Sequence, residues 1–571
     1  MSQPITQRNH PKGLPFLFFT EMWERFGYYL MLGIFVLYMI DVDKGGLGFP
    51  DANADDIFGT FIAFTYLTPF LGGFLADRKL GYINSVYLGG TLMGIGYIGL
   101  AVPGLASFYT SVALIIIGNG FFKPSISTLL GNLYSEEPYK EKKDAGYNIF
   151  YMGINIGAFV CNIIAAFMRN KIGWHAAFIT AGVGMFVGLI VFTIGLKNYR
   201  HVNVLKPAVP GDMGIGKVVA VVFLPAIVAG ILGWAYPYDF SGVDLSHPQT
   251  LLHIFSNPKN IFGSKSTDAF IFATIPVIGF FLSLYLRATK EDKRPIAALL
   301  AIFAVSVMFW AVFKQNGTAL TRWAKFYTDR QLSEELEKPV SKLYLAEEVP
   351  SGIRTVTKFD DQFRAVKDEQ GKVIKEEGRD IYFRNVAPGK LPQDNKPVYL
   401  MNTELFQSVN PGWVIILTPV VVAFFAFLRK RKKEPSTPSK IAIGLLISAL
   451  STLVMVAAVY IGSNGAVKVS PLWLIACYGV ITIGELFLSP MGLSLVSKLS
   501  PPRITALMMG GFFLSTSIGN KLSGILASTW YGYENKAHFF LFNCGLLLAS
   551  AAIGFIMLKW LNRIMREKGL K

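Results

Sequence analysis

Two glutamates, an arginine and two tyrosines share one stripe of the first apolar run. The run reads Glu21-Met22-Trp23-Glu24-Arg25-Phe26-Gly27-Tyr28-Tyr29. Positions 21, 24, 25, 28 and 29 are spaced i, i+3, i+4, i+7 and i+8, so a helix presents them on one face. Trp23 and Phe26 face elsewhere. Carboxylates beside a guanidinium compete for protons, and such a cluster can hold and release one near neutral pH. The plainer reading is a static ion-pair network that locks helices together. A second charge sits in Gly118-Asn119-Gly120-Phe121-Phe122-Lys123-Pro124. Lys123 needs an acidic partner there, and Glu21 or Glu24 suits it by chemistry. Asn148, Asn155 and Asn162 recur seven apart with Tyr151 on the same side, a polar seam that glues helices or lines a cavity. Further on stand Lys314, Arg322, Glu485 with Ser489 and Pro490, and Asn520-Lys521. His10, His175, His201, His247, His253 and His538 all fall in tails, loops or run starts. Carboxylates, not histidines, must carry any proton.

These charges matter because of what surrounds them. Hydrophobic residues make up 52% of the 571, and charged residues only 16%, against roughly 25% in soluble proteins. Mean hydropathy is +0.44. The pattern predicts an all-α integral membrane protein. Apolar runs at about 14–41, 56–76, 84–103, 106–131, 144–167, 174–196, 218–235, 268–286, 295–324, 410–428, 441–463, 471–497, 504–530 and 538–558 predict fourteen spans. Eight ionisable groups then lie at membrane depth: Glu21, Glu24, Arg25, Lys123, Lys314, Arg322, Glu485 and Lys521. Such groups are costly in a bilayer and are functional by default. Cys161, Cys477 and Cys544 lie in apolar runs and form neither a disulfide framework nor a zinc spacing. No nucleophile array, metal cluster or phosphate loop stands out, so the chain reads as no enzyme and needs no cofactor.

The net charge of +17 is topology rather than a nucleic-acid footprint. With the N-terminus in the cytoplasm, the cytoplasmic segments hold 28 Lys and Arg and the short external loops hold 7. The positive-inside rule thus places both termini in the cytoplasm. The run Arg429-Lys430-Arg431-Lys432-Lys433 is then a cytoplasmic anchor. The first run is too long for a signal peptide. Segment 325–408 stands apart, with 14 basic and 15 acidic residues and no membrane-length apolar run. It is predicted to lie outside, with β-hairpin structure near Arg354–Phe359 and Phe363–Lys367, a turn at Gly371, and a small core of Tyr382, Phe383, Tyr399 and Leu400. Its partner is unknown, and it reads as a structured loop without a function of its own.

With these residues in place, the chain resembles the proton-dependent oligopeptide transporter family of the major facilitator superfamily. The matches are Glu21-x-x-Glu24-Arg25-Phe26-x-Tyr28-Tyr29, Gly72-Gly73-Phe74-Leu75-Ala76-Asp77-Arg78-x-x-Gly81, Gly118-Asn119-Gly120-x-Phe122-Lys123-Pro124 and Phe150-Tyr151-x-x-Ile154-Asn155-x-Gly157. Phe406-Gln407-Ser408-x-Asn410-Pro411, Gly484-Glu485-x-x-x-Ser489-Pro490 and Ile518-Gly519-Asn520 follow in order. The resemblance implies a major facilitator fold. Two six-helix bundles, 1–200 and 295–571, flank two inserted helices in 201–294, and 325–408 is a small external insertion. It implies proton-coupled import of di- and tripeptides across a cytoplasmic (inner) membrane, with the proton as coupling ion. Glu21, Glu24, Arg25 and Lys123 would couple protons. The Arg25 and Lys123 side would also receive the peptide carboxylate. Asn155, Asn410 and Glu485 would receive the amino end, with Tyr28, Tyr29 and Tyr66 lining the pocket. Asp77-Arg78 would belong to a cytoplasmic gate loop.

Two positions depart from the family pattern. Leu32 stands where many members carry an arginine, and Lys314 where many carry an acid; in the family those two can pair as an outer gate. Lys314 is then a candidate for selectivity, favouring acidic peptides, unless it reaches away from the pocket. Two other readings stay open: the same fold carrying an organic anion or modified amino acid, and a peptide sensor or receptor that transports nothing.

Overall fold

The computed structural model of the chain describes residues 10–137, 139, 142–205, 215–235, 264–392, 396–501 and 504–568. His247, His253 and the side chain of Asn148 lie outside the described residues. The long helices are α1 Leu14–Ile40, α2 Asp51–Leu75, α3 Tyr82–Gly99, α4 Leu105–Leu133, α5 Lys143–Lys171 and α6 Trp174–Gly195. Then come α7 Gly216–Trp234, α8 Lys265–Leu286 and α9 Lys290–Phe313. The last five are α10 Val409–Lys430, α11 Thr437–Ile461, α12 Leu472–Leu499, α13 Thr505–Ser528 and α14 Lys536–Glu567. Among the described residues, eleven helices are long and apolar enough to cross a membrane. α1, α3 and α13 are not among them. In α1 the reason is the charged stripe through its middle, which lowers the apolarity of any window long enough to span.

Glycine punctuates the connections. Gly81, Gly104 and Gly173 take φ of 74°, 111° and 129° just before α3, α4 and α6, backbone that a Cβ disfavours. Inside the helices glycine permits contact instead. A Cβ on Gly157 of α5 would lie 2.4 Å from the Met22 carbonyl of α1, and one on Gly59 of α2 would lie 2.9 Å from Gly524 of α13. Small residues of this kind let membrane helices approach closely. One apolar cluster runs from Leu14 to Val202 and a second from Val218 to Met565.

α9 continues through a 3-10 turn, an α turn and a wider π turn to Tyr327 and leads into the polar insertion. That segment carries a short helix, Glu334–Lys342, and two small antiparallel sheets. β1 Ala346–Val349 pairs with β4 Val398–Met401, and β2 Arg354–Thr357 with β3 Lys375–Gly378. Bridges Phe359 to Ala365 and Lys367 to Val373 extend the second hairpin, and Gly371 turns it at φ 80°. The hairpin follows the alternation of the sequence. The β1–β4 pair escapes it, because its partners are about 50 residues apart. Val349, Tyr382, Phe383, Val398 and Leu400 form the small core; Tyr399, expected there, is not part of it, because it alternates with the buried Val398 and Leu400 along β4 and so takes the opposite face.

Candidate functional site

The stripe on α1 faces inward and is nearly closed to solvent. Glu24 is 0% exposed, and Glu21 and Arg25 are 3%. Arg25 gathers the carboxylates. Its Nη2 donates to Glu24 Oε1 at 2.7 Å and its Nε to Glu24 Oε2, while Nε lies 3.3 Å from Glu21 Oε1. Its Nη2 also reaches Asn119 Oδ1 of α4 at 3.4 Å, and Asn119 Nδ2 donates to the Thr65 carbonyl of α2 at 2.8 Å. Tyr28 lies under the guanidinium, 5.1 Å from its ring centre. Charge-assisted bonds of this sort are the strong ones. The second oxygen of Glu21 has no hydrogen-bond partner among the described residues.

Lys123 departs from expectation. Among the described residues its ammonium pairs with no carboxylate. It rests 4.1 Å from the centre of the Tyr66 ring on α2. The Lys314 ammonium reaches the same ring at 5.7 Å and Phe313 at 5.6 Å. Tyr66 is thus shared by one cation from α4 and one from the end of α9. A cation over an aromatic face is held by the ring quadrupole, which leaves the ammonium protons available to another acceptor. Lys314 is 4% exposed and turned toward Tyr66 rather than outward.

Across from these cations, α10 and α12 hold an acid. Asn410 Nδ2 donates to Glu485 Oε2 at 3.2 Å and to the Thr482 hydroxyl at 2.7 Å. Tyr29, Tyr66, Lys123, Asn410 and Glu485 are all partly exposed, unlike the sealed Glu24 and Arg25. Asn155 is buried and bonds back to the Tyr151 carbonyl at 2.9 Å. Asn162 bridges to Ser408 at 3.2 Å. Asp77 accepts from the Tyr82 hydroxyl at 2.7 Å at the end of α2, and Arg78 lies 6.0 Å from the Phe74 ring. The arrangement is a buried carboxylate–guanidinium cluster, two cations on one ring, of which Lys123 is partly exposed and Lys314 buried, and a separate acid on other helices. No group of side chains that could hold a metal occurs among the described residues.

Arg322 and Lys521 stand out in the sequence as charges at membrane depth, but their acidic partners do not. Arg322 is gripped by Asp55 through two bonds of 2.7 and 2.8 Å and by Asp51 at 3.1 Å. Lys521 of α13 meets Asp56 at 2.5 Å and Thr60 at 2.6 Å. Both sets join the N-terminal turns of α2 to the C-terminal part of the chain. The acids were disguised: Asp51 in the first turn of α2 and Asp55 and Asp56 in the next read as ordinary carboxylates near a helix N-terminus, where the helix dipole favours them. Leu32 is buried.

Comparison with known proteins follows the same lines. The model of the POT family matches residues 83–338 and 395–541. A transporter of Bacillus subtilis, YclF, is 30% identical over 528 residues, covering 91% of this chain and 88% of that protein. The di-/tripeptide transporter of Lactococcus lactis subsp. lactis is 27% identical, covering 93% and 91%. The peptide transporter YePEPT of Yersinia enterocolitica is 28% identical, covering 90% and 87%. Among solved structures, a peptide transporter POT in complex with sulfate superposes with a TM-score of 0.70 at 30% identity, covering 98% and 97%. A POT family transporter in complex with 5-aminolevulinic acid gives 0.72 at 25% identity, covering 98% of each chain.

Proposed function

The chain belongs to the POT family, and on that footing we propose that it imports di- and tripeptides together with protons, by alternating access. It is a multi-pass membrane transporter and not an enzyme. In this reading it sits in the cytoplasmic (inner) membrane with both termini inside and 325–408 outside. Residues 1–200 and 295–571 form the two bundles, and 201–294 the inserted pair.

One observation carries the site assignment: the cation Lys123, held on the Tyr66 ring and paired with no carboxylate among the described residues, and the acid Glu485 stand on different helices, both partly open, beside a sealed carboxylate–guanidinium cluster. A zwitterionic peptide spans about 5–10 Å at 3.3–3.6 Å per extended residue. Its carboxylate goes to Lys123 on the Arg25 side, and its amine to Glu485 with Asn410 and Asn155. Tyr28, Tyr29 and Tyr66 line the space between. Glu21, Glu24, Arg25 and Lys123 link proton uptake to that event, because the carboxylate of the peptide competes with Glu21 and Glu24 for the same cations. Asp77 and Arg78 belong to the cytoplasmic gate loop. No cofactor is needed beyond the coupling proton.

The test uses blocked peptides in proteoliposomes. Lys123→Ala weakens peptides with a free carboxylate more than amidated ones. Glu485→Gln weakens free amines more than N-acetylated ones. Leaving a buried charge unpaired costs about 3–5 kcal/mol, so the affinity losses are expected to reach a hundredfold or more. Equal losses for blocked and unblocked peptides in both variants would overturn the assignment.

Lys314 supports a finer reading. A cation on Tyr66, where relatives often have an acid, favours peptides with Asp or Glu side chains over those with Lys or Arg. Competition by Ala-Glu, Ala-Ala and Ala-Lys measures this, repeated in Lys314→Glu. A flat ranking, or one unchanged by the substitution, removes Lys314 from selectivity.

A further inference from the structure

Segment 325–408 is held in two different ways on its two sides. Toward the half that carries it, the contacts are apolar and continuous. Phe363 packs into a cluster with Trp323, Tyr327, Trp530 and Phe539, its ring 5.2 Å from those of Phe326 and Tyr327. It does so at φ 64°, a backbone region that a non-glycine residue occupies only when its surroundings hold it there. Asn385 donates to the carbonyls of Phe326 and Gly465, both at 3.0 Å, and Val469 bonds back to Tyr327 at 3.0 Å.

Toward the outer loops of the N-terminal half, the contacts are mostly ionic and polar. Lys44 pairs with Glu347. Asp43 accepts from Lys375 at 2.7 Å and from Thr357 at 2.6 Å. Lys367 donates to the Gly48 carbonyl at 2.6 Å. At the end of α5, Asn170 reaches the Tyr344 and Ala346 carbonyls at 3.0 and 2.9 Å, Arg169 meets Glu404 at 3.0 Å, and Phe167 touches the Tyr344 ring edge-on. The Arg169–Glu404 pair, 10% and 0% exposed, is the buried one among these contacts. The Lys44–Glu347 and Asp43–Lys375 pairs are open to solvent, and exposed pairs of this kind are individually weak and re-form readily in water. A buried apolar seam does neither. The family match skips residues 339–394, which hold Glu347, Thr357, Lys367 and Lys375, so these contacts are an addition to the common scaffold.

We propose that segment 325–408 is an outer clasp: rooted on the C-terminal half, latched by ion pairs to the outer loops of the N-terminal half, and released each time the outer mouth opens. The proposal rests on alternating access and is independent of which solute is carried. The latch residues gate the cycle and do not touch the peptide, so they set turnover rather than affinity.

The experiment places spin labels at Asn53→Cys and His538→Cys, exposed positions at the starts of α2 and α14, in the full chain in liposomes without substrate. Lys44→Glu or Glu347→Lys alone, and Asp43→Asn, are expected to raise the long-distance population at least threefold. Lys44→Glu combined with Glu347→Lys restores the parent distribution. Uptake then changes in maximal rate while KM stays within twofold. The doubly labelled chain with its native latch gives an independent arm: raising salt from roughly 0.05 to 0.5 M screens exposed pairs and shifts the same population. Unchanged distances in every single variant and across the salt series overturn the clasp, as does a charge-swapped pair that restores nothing.

Discussion

Arg25 takes up both oxygens of Glu24 and one of Glu21, and the remaining Glu21 oxygen is bare. The two carboxylates are therefore not equivalent. Glu24→Gln strips a sealed guanidinium of its main partner, and breaking a buried pair costs about 3–5 kcal/mol. Glu21→Gln removes one 3.3 Å contact and leaves the Glu24 pair standing. Glu21→Gln is thus expected to fold normally, lose pH-gradient-driven uptake and retain counterflow, which needs no gradient. Glu24→Gln loses the same uptake and is less stable. Uptake and counterflow in one vesicle preparation decide this, and full gradient-driven uptake in both variants would sink the idea. The stripe was readable because helical spacing alone puts its five residues on one face. The resting place of Lys123 was not. Chemistry says that a cation needs a partner, and only geometry says that the partner is the Tyr66 ring.

Helix α2 has the largest role that sequence reading missed. Its first turns carry Asp51, Asp55 and Asp56, and these hold Arg322 and Lys521 across from the other half. The family resemblance implies an outer pair at positions 32 and 314. Here Leu32 is buried and Lys314 lies against Tyr66, and the charges of α2 tie the halves together, beside the Arg169–Glu404 pair of α5. Arg322 falls at the end of the predicted 295–324 run, but its partners sit more than 260 residues away in the chain, and no local pattern links them. The Asp55–Arg322 pair is 0% and 1% exposed, so removing one partner is far worse than removing both. Asp55→Leu or Arg322→Met alone is expected to lower stability by about 3–5 kcal/mol, and the double variant by much less. Thermal unfolding of the four proteins in detergent gives the coupling. Additive losses would mean that the pair does not hold the halves together. The Lys521–Asp56 tie is partly open, at 1% and 20% exposed, and is expected to matter less.

At the scale of the whole molecule the proposed clasp would let the insertion decide how the outer mouth behaves. Its latch does not depend on the proton that drives transport. Burial opposes ionisation of Glu347, but Lys44, Arg169 and Arg330 outweigh it and hold the carboxyl down at about 2. A depressed carboxyl contributes stability above its unfolded value, near 4.3, and loses it only as pH falls toward 2. Between pH 5 and 8 Glu347 stays charged, and salt rather than acid loosens its contact with Lys44. The root behaves differently. Burial, with Arg330 adding to it, pushes Lys468 down to about 7. A depressed lysine costs stability below that value, and the cost fades as pH rises toward its unfolded value near 10.4. The insertion is therefore seated more firmly at pH 9 than at pH 6. Replacing about 330–400 with a short flexible linker separates these parts. Closing the gap costs little more as the linker lengthens, and none of the proposed peptide-binding residues lies within it. The shortened chain is expected to fold, bind dipeptides within about threefold of the parent (roughly 0.7 kcal/mol), and lose both the salt-dependent outer distance and the stability gained between pH 6 and 9. If it folds but neither binds nor transports peptide, the insertion is part of the site. If it binds peptide but keeps both dependences, the charges that produce them lie elsewhere on the outer face.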